Sequence, residues 1–135
     1  MDRRQFLSRS LAAVSVAAMA TPAMGRAAEE GNRMVIHIVL FKFMTTATSK
    51  AIDDLMAQVR ALPKEIPGIV DVACGRNVSP RSQAYTHAIT LRFRNRAALD
   101  AFYAHPAHLR LIRESIKPIV SELLPVDYED TPTHP

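Results

Sequence analysis

The run Met34-Val35-Ile36-His37-Ile38-Val39-Leu40-Phe41-Lys42-Phe43 constrains the fold more than any other stretch of the chain. It is rich in β-branched and aromatic residues, which predicts a strand of about ten residues. Side chains alternate across a strand, so Val35, His37, Val39 and Phe41 share one face, while Met34, Ile36, Ile38 and Leu40 share the other. Both faces are apolar. A strand of this kind must be covered on both sides, which excludes a solvated edge and a sheet with one bare polar face.

The rest of the chain supplies the cover. From Ser49 the spacing of Ile52, Leu55, Met56, Val59 and Leu62 is helical, with Asp53 and Asp54 near the favourable N-terminus, and Pro63 and Pro67-Gly68 are expected to close the helix. Ile69 to Asn77 reads as a second strand, and Asn77 to Gln83 as a turn-rich loop. Tyr85 to Arg94 alternates as a third strand with Tyr85, His87, Ile89, Leu91 and Phe93 on one face. Asn95 is suited to cap a helix carrying Ala98, Leu99 and Phe102. His105-Pro106 interrupts that helix, and Pro106 opens another with Leu109, Ile112 and Ile116 inward. Leu123 to Tyr128 is a last short strand, and Asp130 to Pro135 a loose tail. The order is that of a ferredoxin-like α+β fold, βαββαβ, with an antiparallel four-stranded sheet and its helices on one face. Its other face would leave Ile36, Ile38 and Leu40 as an apolar patch, so a homodimer packing sheet on sheet is expected.

Residues 1–27 have the layout of an export signal: Arg3-Arg4-Gln5-Phe6-Leu7, an alanine-rich stretch from Leu11 to Ala20, and small residues near Gly25 and Ala27 where cleavage is expected. The paired arginines resemble the twin-arginine route, which implies a periplasmic or secreted protein. Arg3, Arg4, Arg9 and Arg26, against Asp2, carry three of the four net positive charges. The remainder, with its domain expected over residues 34–129, is close to neutral, which removes the compositional case for nucleic acid or membrane as a partner. The single cysteine, Cys74, excludes an intrachain disulfide and a cysteine-built zinc site.

Four histidines are placed to do chemistry. His37 and His87 lie on strand faces otherwise lined by Val39, Phe41, Ile89 and Leu91, and His105 and His108 bracket Pro106-Ala107. His37, His87 and His108 can converge on an apolar cavity between sheet and helices, where an imidazole can serve as general base. The alternative is a set of core histidines held by hydrogen bonds. His105 and His108 are spaced to share a metal with His37 or His87, but no carboxylate stands at a ligand spacing, so neither metal nor cofactor is expected. Arg92, Arg94 and Arg96 read as a solvated strand end. No glycine-rich phosphate loop or nucleophile elbow is present, which leaves hydrolase chemistry without support.

The run from His37 to Phe43, with Ile66-Pro67-Gly68, Tyr85-Thr86-His87, Phe93, His105-Pro106-Ala107-His108 and Asp127-Tyr128, resembles the stress-responsive A/B barrel domain (Dabb) family from Met34 to Glu129. The resemblance implies ferredoxin-like chains paired into a dimeric barrel. One plant member is a polyketide cyclase that forms olivetolic acid by a cofactor-free aldol condensation. By that likeness His108 corresponds to the general base, His37 lines the pocket, and Leu55, Met56 and Val59 face it. The cyclase has a tyrosine three residues before the motif's first histidine; Phe102 stands there and cannot donate a hydrogen bond, and Tyr103, on a helix, is expected to point about 100° away. The pocket expected is His37, Val39, Phe41, Leu55, Met56, Val59, His87, Ile89, Phe102 and His105, with His108 the catalytic candidate. Three functions are compatible with it: binding of a small apolar or aromatic ligand, a cofactor-independent lyase or cyclase, and a non-catalytic structural or stress-protective role.

Overall fold

The computed structural model describes residues 31–131, and the expected signal at 1–27 and tail residues 132–135 lie outside them. β1 (Val35–Phe43) leads through Thr48 into α1 (Ser49–Glu65). The Thr48 hydroxyl accepts the Ala51 N–H at 3.1 Å and so satisfies one of the donors that a helix start leaves free. α1 runs through Pro63, which the sequence had suggested as its end. In the last turn a proline forfeits little of the hydrogen-bond ladder, and the Ile66 N–H still reaches the Leu62 carbonyl at 2.9 Å. β2 (Ile69–Arg76) and β3 (His87–Phe93) follow, and Tyr85 and Thr86 stay in the loop between them. Gln83 and Ala84 have φ of 50° and 69°, which turns the chain before extended pairing begins.

Asn95 caps α2 (Arg96–Ala104), its side chain accepting the Ala98 N–H at 2.9 Å. His105 caps α3 (Pro106–Leu111), which continues as a π-helical turn over Ile112–Ile116. Leu109 faces solvent, 48% exposed, where an inward position was expected: the buried face of α3 runs through Ala107, His108 and Leu111, and the five-residue spacing of the π-helical turn brings Ile116, inward as expected, onto the side of Leu111. β4 (Val120–Glu129) is a ten-residue strand, longer than its apolar core suggested. Asp130, first residue of the expected tail, still donates its N–H to the Met34 carbonyl at 2.8 Å.

The sheet order is β2-β3-β1-β4, antiparallel throughout, which is the ferredoxin-like arrangement. β1 is central, as its two apolar faces require. Val35 and Phe41 are 1% exposed on the helix side, joined there by Leu91 and Phe93 of β3 and by Leu55, Val59 and Ile66 around α1. Directly opposed residues share a face. The open side therefore carries Ile36, Ile38 and Leu40 beside Tyr128, Val126 and Leu124 of β4, the last three 48%, 44% and 44% exposed. Gly68, at φ +94°, lets the chain pass α2 at close range: a Cβ there would stand 2.7 Å from the Ala98 Cβ.

Candidate functional site

Between the sheet and the helices α2 and α3 lies a cavity of about 220 Å³. Its wall is apolar except at three side chains, His37 from β1, Tyr103 from α2 and His108 from α3. Val39, Phe41, Ile89 and Phe102 line it as well. The remaining expected pocket residues lie elsewhere. Leu55 and Val59 are core residues of α1, which packs along β2, and Met56 packs against the same core and accepts the Cys74 thiol at 3.9 Å through its carbonyl. Leu62, one turn further on, is the residue α1 contributes. His87 stands at the far end of the sheet, edge-on to Phe43 with ring centroids 5.2 Å apart and its Nδ1 2.9 Å from the Thr86 hydroxyl. His105 is spent on the backbone, its Nδ1 accepting the Ala107 N–H at 3.0 Å.

His37 is 4% exposed and set among the rings of Phe93, Phe102 and Tyr103 at centroid distances of 6.3, 5.4 and 5.6 Å. Its Nδ1 lies 2.5 Å from Asp127 Oδ1. An ionised carboxylate only accepts, so Nδ1 carries the hydrogen and Nε2 is left for the cavity. The other Asp127 oxygen accepts from the Tyr103 hydroxyl, whose oxygen is also 3.3 Å from His37 Nδ1. Burial, and then the Asp127 hydrogen bond and charge, push the Tyr103 pKa well up, so this hydroxyl keeps its proton. Sequence reasoning turned Tyr103 away from the pocket and left Asp127 out of it. The 100° offset holds, but β4 lies beyond β1, so Phe102 sits toward β1 while Tyr103, beside it, reaches the acid on β4. A period-two reading of Leu123, Pro125 and Asp127 would have put the acid on the cavity face, since Leu123 and Pro125 both line it.

His108, 9% exposed, lies against Phe102 with centroids 4.1 Å apart, and its Nδ1 is 3.3 Å from the Tyr103 carbonyl. A carbonyl accepts only, so this Nδ1 too carries the hydrogen. Burial lowers the His108 pKa below the ordinary imidazole value; the carbonyl contact opposes the shift, and the neighbouring His37 and His105 add to it. His108 is thus a neutral imidazole at neutral pH, with no hydrogen-bond partner for its second nitrogen among the described residues. On the outer side of Tyr103 and Asp127, a polar cleft of about 260 Å³ holds Arg96, Asp100 and Glu129, and Arg96 bonds Glu129 at 3.0 Å. Among the described residues no group of three or more His, Cys, Asp or Glu is arranged to hold a metal ion.

The family model for the stress responsive A/B barrel domain, Dabb, matches residues 35–130, which is nearly all of the described residues. The chain belongs to the Dabb family. Among plant Dabb proteins, a stress-response A/B barrel domain-containing protein of Arabidopsis thaliana is 29% identical over 102 residues, covering 72% of this chain. The match spans only 37% of that longer plant protein. Two solved structures resemble this chain in fold: a hydroxynitrile lyase from Passiflora edulis and a protein from a Jannaschia species, described as dimeric, ferredoxin-like and of unknown function. The lyase is 24% identical with a TM-score of 0.70, covering 77% of this chain and 99% of its own, a likeness of fold. The Jannaschia protein is 28% identical with a TM-score of 0.60, covering 72% and 99%.

Proposed function

We propose that this Dabb domain binds a small apolar or aromatic molecule in the cavity beside His37 and His108, and acts as an exported homodimer. The observation that carries the reading is the cavity itself, about 220 Å³ with apolar walls and its polar side chains grouped together, the Tyr103 ring 5.6 Å from that of His37 and 5.8 Å from that of His108. An apolar cavity of about 150 Å³ suffices for benzene, so this one suits a single ring with a short substituent. Pairing of two copies is supported by the apolar open sheet face and by the dimeric description of the Jannaschia relative. Export is supported by Arg3-Arg4 and the alanine-rich stretch that follows. A screen of aromatic and polyketide-like compounds by thermal shift, against wild type and His108→Ala, tests the binding. Compounds that raise the wild-type melting temperature and lose that effect in the variant support it; a screen in which nothing stabilises the wild type refutes it.

A second reading is favoured by Tyr103. Its hydroxyl stands in the site although Phe102 occupies the position where the plant cyclase has tyrosine, and His37 is backed by the Asp127 carboxylate. That is the equipment of a cofactor-independent lyase or cyclase, with His108 as general base and the His37-Asp127 pair holding a second proton site. A candidate substrate whose turnover is unchanged in His108→Ala would remove His108 from that mechanism.

A further inference from the structure

We propose that the cavity selects ligands bearing a hydroxyl group, a phenol or an alcohol, over carbonyl compounds of the same size. The hydroxyl hydrogen would be given to Nε2 of His37 or of His108. The inference rests on the binding reading and adds the chemistry of the ligand's polar end. A hydrogen-bond count carries it. A neutral imidazole has one N–H, and in each histidine, when neutral, that hydrogen is held at Nδ1 by an atom that only accepts: Asp127 Oδ1, 2.5 Å from His37 Nδ1, and the Tyr103 carbonyl, 3.3 Å from His108 Nδ1. The Tyr103 hydroxyl is committed as well, to Asp127 Oδ2. Every other lining side chain is apolar, from Val39 and Phe41 on β1 to Leu123 and Pro125 on β4. The polar end of the cavity therefore offers lone pairs, on two ring nitrogens and a phenolic oxygen, and no side-chain hydrogen.

The physical consequence is asymmetric. A ligand whose only polar group is a carbonyl oxygen gives up its water and finds no donor, which costs the full desolvation of that oxygen. A hydroxyl replaces its lost water contact with a bond to an imidazole nitrogen and also satisfies a group of the protein. Sites built to bond a ligand hydroxyl reject the analogue that lacks it for the same reason. The selection is set by Asp127 and the Tyr103 carbonyl, which fix the tautomers, and Asp127 is a positioning residue in this sense.

Cyclohexanol and cyclohexanone share one heavy-atom skeleton and fit the volume, so calorimetric titration of the wild-type protein with each, at about pH 8 where ordinary imidazoles are neutral, isolates the hydrogen. The alcohol is expected to bind about tenfold tighter or better. In His108→Phe, which keeps the apolar bulk and removes one acceptor, that advantage should shrink. Nitrogen-15 spectra of the histidines give a readout independent of affinity: Nε2 of His37 and His108 should be the unprotonated nitrogen in each ring and should shift when phenol is added. Equal affinity for alcohol and ketone, or either ring protonated at Nε2, overturns the selection and leaves the binding reading standing. If none of the three compounds binds, the cavity reading itself fails and the selection with it.

Discussion

Asp127→Ala removes the acceptor of two donors that differ in their access to water. Tyr103 is 39% exposed, so its freed hydroxyl hydrogen can turn to solvent, whereas the His37 side chain is 5% exposed and its Nδ1–H is left only the long contact, 3.3 Å, to the Tyr103 oxygen. Leaving one buried donor unsatisfied costs about 1–3 kcal/mol, and exchanging the tyrosine's bond for water adds little. The Asp127 side chain is itself 32% exposed, so its removal relieves only a small desolvation penalty. A loss of about 2 kcal/mol is expected, which for a domain of this size lowers the melting temperature by about 8–16 °C. The assay is urea denaturation at about pH 8 and fixed protomer concentration, because association contributes to the apparent stability of a dimer. The double-mutant cycle is the decisive part. In a His37→Phe background the buried donor is gone, and Asp127→Ala should then cost about 0.5 kcal/mol or less, giving a coupling above about 1 kcal/mol. An Asp127→Ala variant as stable as wild type, or one whose cost is the same in both backgrounds, would refute the assignment of the His37 hydrogen to this carboxylate.

Three further outcomes follow from the same structure. Burial lowers the His108 pKa from 6.5, so on acidification the unfolded chain takes up the proton first; stability should be full above about pH 6.5 and fall as the pH drops through the folded-state value, with His87 adding in the same direction. His108→Phe should flatten that decline in melting temperature measured across the range. Gly68→Ala places a Cβ 2.7 Å from that of Ala98 at a φ of +94°, and a loss of about 1–3 kcal/mol in chemical denaturation is expected, smaller in an Ala98→Gly background. Leu124→Asp puts a charge in the apolar open face opposite Leu40, and light scattering at micromolar concentration should show wild type at the mass of a dimer and the variant at that of a monomer.

The features legible in the sequence are those whose cause is local or periodic. β1 announced a central strand because both of its faces are apolar, Asn95 announced a helix start because its side chain can bond the third residue on, and Pro106 marked a restart because a first-turn proline loses nothing. The alternation in β3 placed Ile89, Leu91 and Phe93 on one side and the structure keeps them there. What failed to show depends on how elements lie across one another. The family resemblance places Leu55, Met56 and Val59 at the pocket, yet α1 packs along β2, so only Leu62 in its last turns reaches the cavity. Tyr103 was turned away by a rule that is correct on an isolated helix; the rule says nothing about β4 lying on the flank toward which the side chain turns. Leu109 points outward because the π-helical turn at Ile112–Ile116 breaks the regular spacing that linked it to Ile116. Asp127 was visible as part of a family-like pair, but its role depends on a partner 90 residues away in the chain.

Pro125 has a consequence for how the strand finds its place. It lies opposite Val39 on β4, an edge strand, where a residue without an N–H can face outward and forfeit no ladder bond. In a strand, the face a side chain takes and the direction its N–H takes alternate together. If β4 slipped by one residue, Leu124, Val126 and Tyr128 would roll to the cavity side and Asp127 to the outside, and the segment would remain nearly as apolar in its new setting. Hydrophobicity alone therefore discriminates weakly between the two alignments. The slipped alignment would, however, turn the nitrogen of Pro125 toward β1 with no hydrogen to give. One imino acid at the middle of the last strand thus acts as a ratchet on alignment, and through it decides on which side of the sheet the acid that orients His37 comes to rest.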